Sequence, residues 1–497
     1  MLGKGIVKSQ IAKLIEVSLS FVISVLLTRR MGPDGFGSYS LILGWIGFVG
    51  LGISLGFSEI LNKYLPRLIS DSVQISSFFL PLLVIRMGLA LIVSLVVALF
   101  APSLFSWLKH GEMLPYVNYI LVLLLLTQAC NLFWSFYIAR IDIGTVFLSH
   151  TLQQVIVIGA VFWLSGLENI SLQSLLIVTC IAWVSGALVY ALAYQGANTR
   201  KGKKWGANQF KPVLKFGLSA WAAAAITFLL SEQSDVLLLG YIVQGTRSVA
   251  YYKVGTALVW KLIGVITVGA QVVLTSLSTL YAREGEEGFS RGWRTFMKLS
   301  VLLVVPSYLL LGWYAPQIIT LLYGPEYVFS ALVLRLFVAL TVIPFGLLGG
   351  GLHLMALYTV GREREGLIIR AISGVVNVIL GVFLISLHGV VGAVIATGVA
   401  TFLGISLEFL ALQRFSPQQY PWDFSLKTVA AMFIGAALLF PVPARTWYEL
   451  LGVGSAYGLV IGLALMWWKP LAAEDCEMLG RISPRLATIA TWFSSAA

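Results

Sequence analysis

APSLFSWLKHGEMLPYVNYILVLL (101–124) and APQIITLLYGPEYVFSALVLRL (315–336) decide how the chain is organised. Each opens on Ala-Pro, crosses a short glycine-containing loop, passes a tyrosine and enters a long apolar stretch. The first opens at Ala101 and the second at Ala315. A second pair agrees: Tyr39 in FGSYS and Tyr252 in SVAYYK stand almost the same distance apart in the chain. Two offsets that match within one residue point to a repeat of about half the chain, and its sense depends on what lies between the copies.

What lies between them is apolar. Of 497 residues, 59% are hydrophobic and 11% charged, with a mean hydropathy of +0.91. Runs of about 18 or more apolar residues read as transmembrane helices. Fourteen fall roughly at 9–28, 38–58, 77–101, 116–139, 145–165, 173–195, 216–240, 250–277, 297–322, 329–358, 367–387, 390–411, 425–441 and 447–468. Backbone amides in lipid must pair within their own segment, so these are helices and the protein is an all-α polytopic membrane protein. The first run carries Lys13 and Glu16 and ends without a small-residue cleavage site, so it reads as a retained span.

The loops orient the spans. With the N-terminus cytoplasmic, 24 of the 33 Lys and Arg fall on the cytoplasmic side, five on the other, and four inside spans. That bias follows the positive-inside rule and puts both termini in the cytoplasm. It also accounts for the net charge of +12 without nucleic acid. The densest cluster, TRKGKKWGANQFK (199–211), is a linker that can touch anionic headgroups. Six spans separate the members of each repeated pair, so the copies run the same way through the membrane. This is a parallel repeat of two six-helix lobes. The expected organisation is an N-terminal lobe (1–198), a basic cytoplasmic linker (199–215), a C-terminal lobe (216–412), two further spans (413–470) and a cytoplasmic amphipathic tail (471–497).

An ionised side chain at mid-membrane costs about 2.5–3.5 kcal/mol on insertion scales and marks a bundle interior or wet cavity. Arg86 (span 3), Lys261 (span 8) and Arg335 (span 10) form a sparse set of cations suited to an anionic substrate, a phosphate or diphosphate above all. A tether between helices is the other reading of each. Glu232 and Asp235, three residues apart in span 7, share a helix face and are candidates to carry H⁺ or Na⁺; pairing with Lys253 and Lys261 of span 8 is the alternative. Span 10 contains VIPFGLLGGGLHL, where Pro344, Gly349 and Gly350 mark a hinge, or else a close helix contact. No pattern suggests catalytic residues, a metal site or a cofactor. Cys130, Cys180 and Cys476 read as unpaired thiols, and no GxxxxGK[ST] loop for ATP occurs.

Several stretches resemble a known family. They are TRRMGPDGFGSYSLIL (28–43), GISLGFSEILNKYLPR (52–67), QSDVLLLGYIVQGTRSVAYYKVGTAL (233–258), the 315–336 phrase, ALYTVGRERE (356–365) and, most specifically, VVNVILGVFLISLHGVVGAVIATGVAT (375–401). On these the chain resembles polysaccharide biosynthesis flippases of the multidrug/oligosaccharidyl-lipid/polysaccharide exporter superfamily. Phe36 and Gly381 depart from its usual Tyr and Asn. The resemblance implies a V-shaped two-lobed fold with a central cavity. It implies transport of a polyprenyl-diphosphate-linked oligosaccharide to the outer leaflet of a cell (inner) membrane, driven by an ion gradient. The expected partners are the lipid-linked oligosaccharide, membrane lipids and a polysaccharide polymerase or export machinery. A drug exporter of the same superfamily and a membrane polysaccharide polymerase or ligase are the alternatives. The deep cations weigh against the first and the short outer loops against the second.

Overall fold

Secondary structure follows from the solvent. A computed structural model describes residues 2–70, 74–165, 170–197, 205–206, 210–482, 488 and 490–494. For 2–13, 70, 165, 195–197, 262–272, 479 and 481–482 it describes the backbone alone. Among the described residues the named elements are all helical, apart from one isolated bridge between Leu471 and Ser494. In chain order they are α1 (Leu2–Ser54), α2 (Phe57–Ser70), α3 (Ile75–Trp107), α4 (Val117–Ala139), α5 (Ile143–Ser165), α6 (Leu172–Ala197), α7 (Phe210–Phe228), α8 (Glu232–Val243) and α9 (Thr246–Trp313). There follow α10 (Ala315–Tyr323), α11 (Phe329–Phe337), α12 (Ile343–Leu348), α13 (Leu352–Thr359), α14 (Glu363–His388), α15 (Val390–Phe415), α16 (Trp422–Leu439), α17 (Trp447–Trp468) and α18 (Ala473–Ile482).

Among the described residues, eleven helical segments are long and apolar enough to cross a membrane, and a bent pair, α7 with α8, makes a twelfth. At 53 and 68 residues, α1 and α9 exceed the ~20 that one crossing needs. Each is interrupted, α1 at Gly32 ahead of Pro33 and α9 at Gly285. Dividing them there gives every one of the fourteen expected spans a helix. The chain is a multi-pass membrane protein. Long apolar side chains such as Leu91, Leu95 and Leu99 of α3 or Ile379 and Phe383 of α14 stay exposed, as lipid-facing residues do.

The chain forms two compact units, Met1–Lys253 and Val254–Ala497, whose boundary lies within α9. The first is held by an aromatic core from α2, α3, α4 and α6, including Phe57, Phe78, Phe79, Phe136, Tyr137 and Tyr190. In the second, Phe289, Trp293 and Met297 of α9 pack with Leu352 and Leu357 of α13 and Leu412 of α15. Helices α16 and α17 attach to α9 through Val305, Met432, Tyr457 and Ile461. Most of the basic linker, 199–204 and 207–209, lies outside the described residues, as do 483–487 and 489 of the tail.

The repeated phrase has one local structure in both units. In the first, α3 ends and a 3₁₀ turn (Gly111–Tyr116) leads into α4. In the second, α10 ends and a 3₁₀ turn (Pro325–Tyr327) leads to α11. Gly111 and Pro325, where the turns start, are spaced as Ala101 and Ala315 are, so the offset read from the sequence is kept.

The expected span at 216–240 departs from a straight helix. The run 216–240 is broken at 229–231, and α7 and α8 meet at 59°. The cause is a helix start buried in the run: Ser231 takes an extended conformation and its side chain accepts from the Ser234 backbone N–H. Glu232 and Asp235 then occupy the first turn of α8, where backbone N–H groups favour negative charge.

Candidate functional site

Arg86 sits in the middle of α3 and is 2% exposed. Its Nε and Nη2 donate to Oε1 of Gln128 on α4, at 3.2 and 2.8 Å. Gly50 of α1 lets the amide in, because a Cβ there would lie 2.5 Å from Gln128 Nε2. The third nitrogen, Nη1, is buried without a hydrogen-bond partner among the described residues. The acid that acts on the guanidinium electrostatically is Glu59 of α2. A buried arginine bonded to a neutral amide keeps its positive charge available, which a carboxylate partner would cancel.

The two acids of α8 are both engaged. Lys253 Nζ donates to Glu232 Oε2 at 3.0 Å, with the side chains 27% and 17% exposed. Asp235 is 1% exposed and accepts from the Tyr252 hydroxyl. The hairpin of α8 with the start of α9 thus brings Glu232, Asp235, Tyr252 and Lys253 together. Lys261 lies two turns further along α9 and is half-buried.

Arg335 is in a different setting. It is exposed on α11, and its Nε and Nη2 donate to the carbonyls of Gly312 and Trp313, at 3.2 and 3.1 Å. These are among the last carbonyls of α9, which lack partners within the helix. A guanidinium there satisfies them and complements the helix dipole.

The segment with Pro344, Gly349 and Gly350 is not a continuous helix. A π-helical stretch (Val338–Val342) precedes α12, and the chain breaks at 349–351 before α13. Gly349 has φ 72°, and a Cβ there would come within 2.1 Å of Met297 Sδ. Positive φ and close packing both demand glycine at this point.

The sequence profile of the family described as polysaccharide biosynthesis protein matches residues 26–331, more than half of the chain. The chain belongs to that family. This polysaccharide biosynthesis protein is 21% identical over 470 residues to a "Probable low-salt glycan biosynthesis flippase Agl15" of Haloferax volcanii, covering 93% of each chain. Its fold is that of the lipid II flippase MurJ in an inward closed conformation, with a TM-score of 0.71 over 92% of this chain and 98% of that one, at 16% identity. It also resembles an inward-facing multidrug resistance MATE family transporter of the MOP superfamily, with a TM-score of 0.61 over 82% and 97%, again at 16% identity. The all-α fold expected from the apolar runs is therefore the one observed, and the proteins it resembles are named as flippases or transporters.

Some polar sites join residues far apart in the chain. Glu408 of α15 is 4% exposed and meets Arg370 of α14 at 3.5 Å. An acid inside a predicted span was the available signal for it. Gln128, the partner of Arg86, is uncharged and 42 residues away, so nothing marked it. His110 packs at 1% exposure between Glu112 and the carbonyl of Gly240, 130 residues away. Asp475 of α18 accepts from Thr295 Oγ1 at 2.8 Å and from Lys298 Nζ.

Proposed function

We propose that the protein flips a polyprenyl-diphosphate-linked oligosaccharide from the cytoplasmic to the outer leaflet, for cell-surface polysaccharide synthesis, by ion-coupled alternating access. The observation that carries this reading is a polysaccharide biosynthesis chain folded, over 92% of its length, like a lipid II flippase. The buried guanidinium of Arg86 supports it, since a diphosphate crossing a bilayer needs fixed positive charge. Lys261 and Arg335 are assigned as weaker cationic contacts. Glu232, with Asp235, is assigned to an H⁺ or Na⁺ coupling ion, and the 349–351 break to the hinge. The setting is a cell (inner) membrane with both termini cytoplasmic, and a polymerase or export machinery takes the product onward.

A drug or cation exporter is the second reading, favoured by the MATE likeness. Arg86 argues against it, because a buried cation repels cationic cargo.

The test is reconstitution in liposomes carrying a polyprenyl-diphosphate oligosaccharide, with an impermeant lectin to report the sugar's leaflet. The expected result is protein-dependent movement that an H⁺ or Na⁺ gradient accelerates. No movement under either gradient, alongside uptake of a cationic dye, would establish the exporter reading instead.

A further inference from the structure

We infer that His110 and Glu112 form a proton-binding site that ties the loop between α3 and α4 to the C-terminal end of α8. The site is built by the way α3 ends. Leu108 caps the helix and Lys109 takes a left-handed conformation, with φ 62°. The Lys109 N–H donates to Ser106 O at 3.0 Å and the His110 N–H to Phe105 O at 2.9 Å, the two bonds of a Schellman ending. That ending leaves the His110 ring against the edge of Trp45 of α1, 5.6 Å between centroids.

Both ring nitrogens then face oxygen acceptors. Nε2 is 2.9 Å from the carbonyl of Gly240, and Nδ1 is 2.8 Å from Glu112 Oε1. A carbonyl only accepts, so Nε2 carries a hydrogen. An ionised carboxylate also only accepts, and a neutral ring with its hydrogen on Nε2 would set a lone pair against it. The two contacts coexist only when one further proton sits on Nδ1 or on the carboxyl. Losing that proton forfeits one of them. If Glu112 leaves, the loop loses its side-chain anchor; if the ring hydrogen moves to Nδ1, α8 is released.

The carbonyl of Gly240 is among the last four of α8, which lack helical partners, so the Nε2 hydrogen of His110 satisfies it. Charged and titratable groups beside the site are Glu112, 60% exposed, and Lys109 in the same loop, with Tyr241 of α8 under Lys109 Nζ at 5.5 Å. The faces from α1 and α3 are the Trp45 and Phe105 rings, themselves 5.3 Å apart. The acids of α8 are turned elsewhere, Glu232 to Lys253 and Asp235 to Tyr252. On α1, Asp34 is bound to Arg247.

The internal repeat makes the site one-sided. The offset that takes Ala101 to Ala315 takes Glu112 to Glu326 but His110 to Gly324. The acid recurs and the imidazole does not, so the second unit has no counterpart. In the orientation set by the basic loops, this loop faces the outer side, and external acidity holds the tie closed.

The experiment is hydrogen exchange of the full chain in lipid nanodiscs across a pH series, following the amides of 111–114 and 116 after correction for intrinsic exchange. No substrate is needed, so the result stands apart from the flippase reading. In the wild type, protection is high at low pH and falls with rising pH, by at most about tenfold per pH unit for one proton. Glu112→Gln places an amide donor opposite Nδ1 of a neutral ring, so its protection is expected to stay level across the series. Wild-type protection that ignores pH, or a Glu112→Gln chain that keeps the wild-type slope, would overturn the proposal.

Discussion

Arg86 and Gln128 meet with two guanidinium nitrogens on one amide oxygen, inside a unit where Arg86 is 2% exposed. The arrangement holds a charge in place without neutralising it. Removing the acceptor strands the charge: Gln128→Leu should cost about 1.5–3 kcal/mol, the range for a hydrogen bond to a charged group. Arg86→Met with Gln128→Leu replaces both groups by apolar ones of similar length and should recover most of that stability. Melting of the detergent-solubilised protein checks the first half, and the liposome assay the second. The double variant should fold and fail to flip; normal flipping would make the pair a structural tether.

A second prediction compares two buried phenols. Tyr252 donates to Asp235, a carboxylate that is 1% exposed. Tyr252→Phe removes a hydrogen bond to a charged group and should lower stability by about 1.5–3 kcal/mol. The Tyr457 hydroxyl is buried without a partner among the described residues. Tyr457→Phe should therefore be neutral or slightly stabilising. Equal shifts in melting temperature for the two variants would contradict this account.

The 349–351 break yields a third. Gly349→Ala places a side chain at φ 72° and drives its Cβ toward Met297 Sδ. The left-handed conformation alone costs about 1–2 kcal/mol, and the contact adds to it. Met297→Ala relieves the contact but not the backbone, so the double variant should recover only part of the loss. Full recovery would mean that packing, and not conformation, selects glycine.

Much of this was legible in advance because it depends on local pattern. Apolar runs and basic loops placed fourteen spans, and the Ala-Pro phrases revealed the repeat whose 3₁₀ turns, at Gly111 and Pro325, keep the same spacing. Glu232 was legible as a charge in the membrane but not as the first turn of a new helix. Ser231 starts that helix, and the apolar residues on both sides of it hide the 59° bend. Partners across the fold were not legible. Gln128 is neutral, Glu408 lies near the end of an apolar run, and His110 finds Gly240 only through packing. Arg335 stands in a predicted span, and the carbonyls of Gly312 and Trp313 that it meets at the end of α9 carry no sequence signal.

The C-terminal tail gives the last prediction. Asp475 is 4% exposed and accepts from the Ala472 backbone N–H at 2.9 Å, from Thr295 Oγ1 at 2.8 Å and from Lys298 Nζ. One carboxylate thus organises the start of α18 and fastens it to α9. Asp475→Ala loses the start of α18 and leaves the Lys298 ammonium, 15% exposed, without its acid, at a cost of about 3 kcal/mol. Lys298→Met leaves Asp475 with the Thr295 and Ala472 donors, so it should cost clearly less. Asp423→Ala provides the control, because its pair with Lys427 is exposed, at 76% and 37%, and such pairs contribute about 0–1 kcal/mol. Hydrogen exchange across 473–482 reads all three. The expected order of deprotection is Asp475→Ala, then Lys298→Met, with Asp423→Ala like the wild type. If Lys298→Met matched Asp475→Ala, the ion pair alone would hold the tail; if neither moved the exchange, the apolar seat of Phe493 against α9, α16 and α17 would hold it instead.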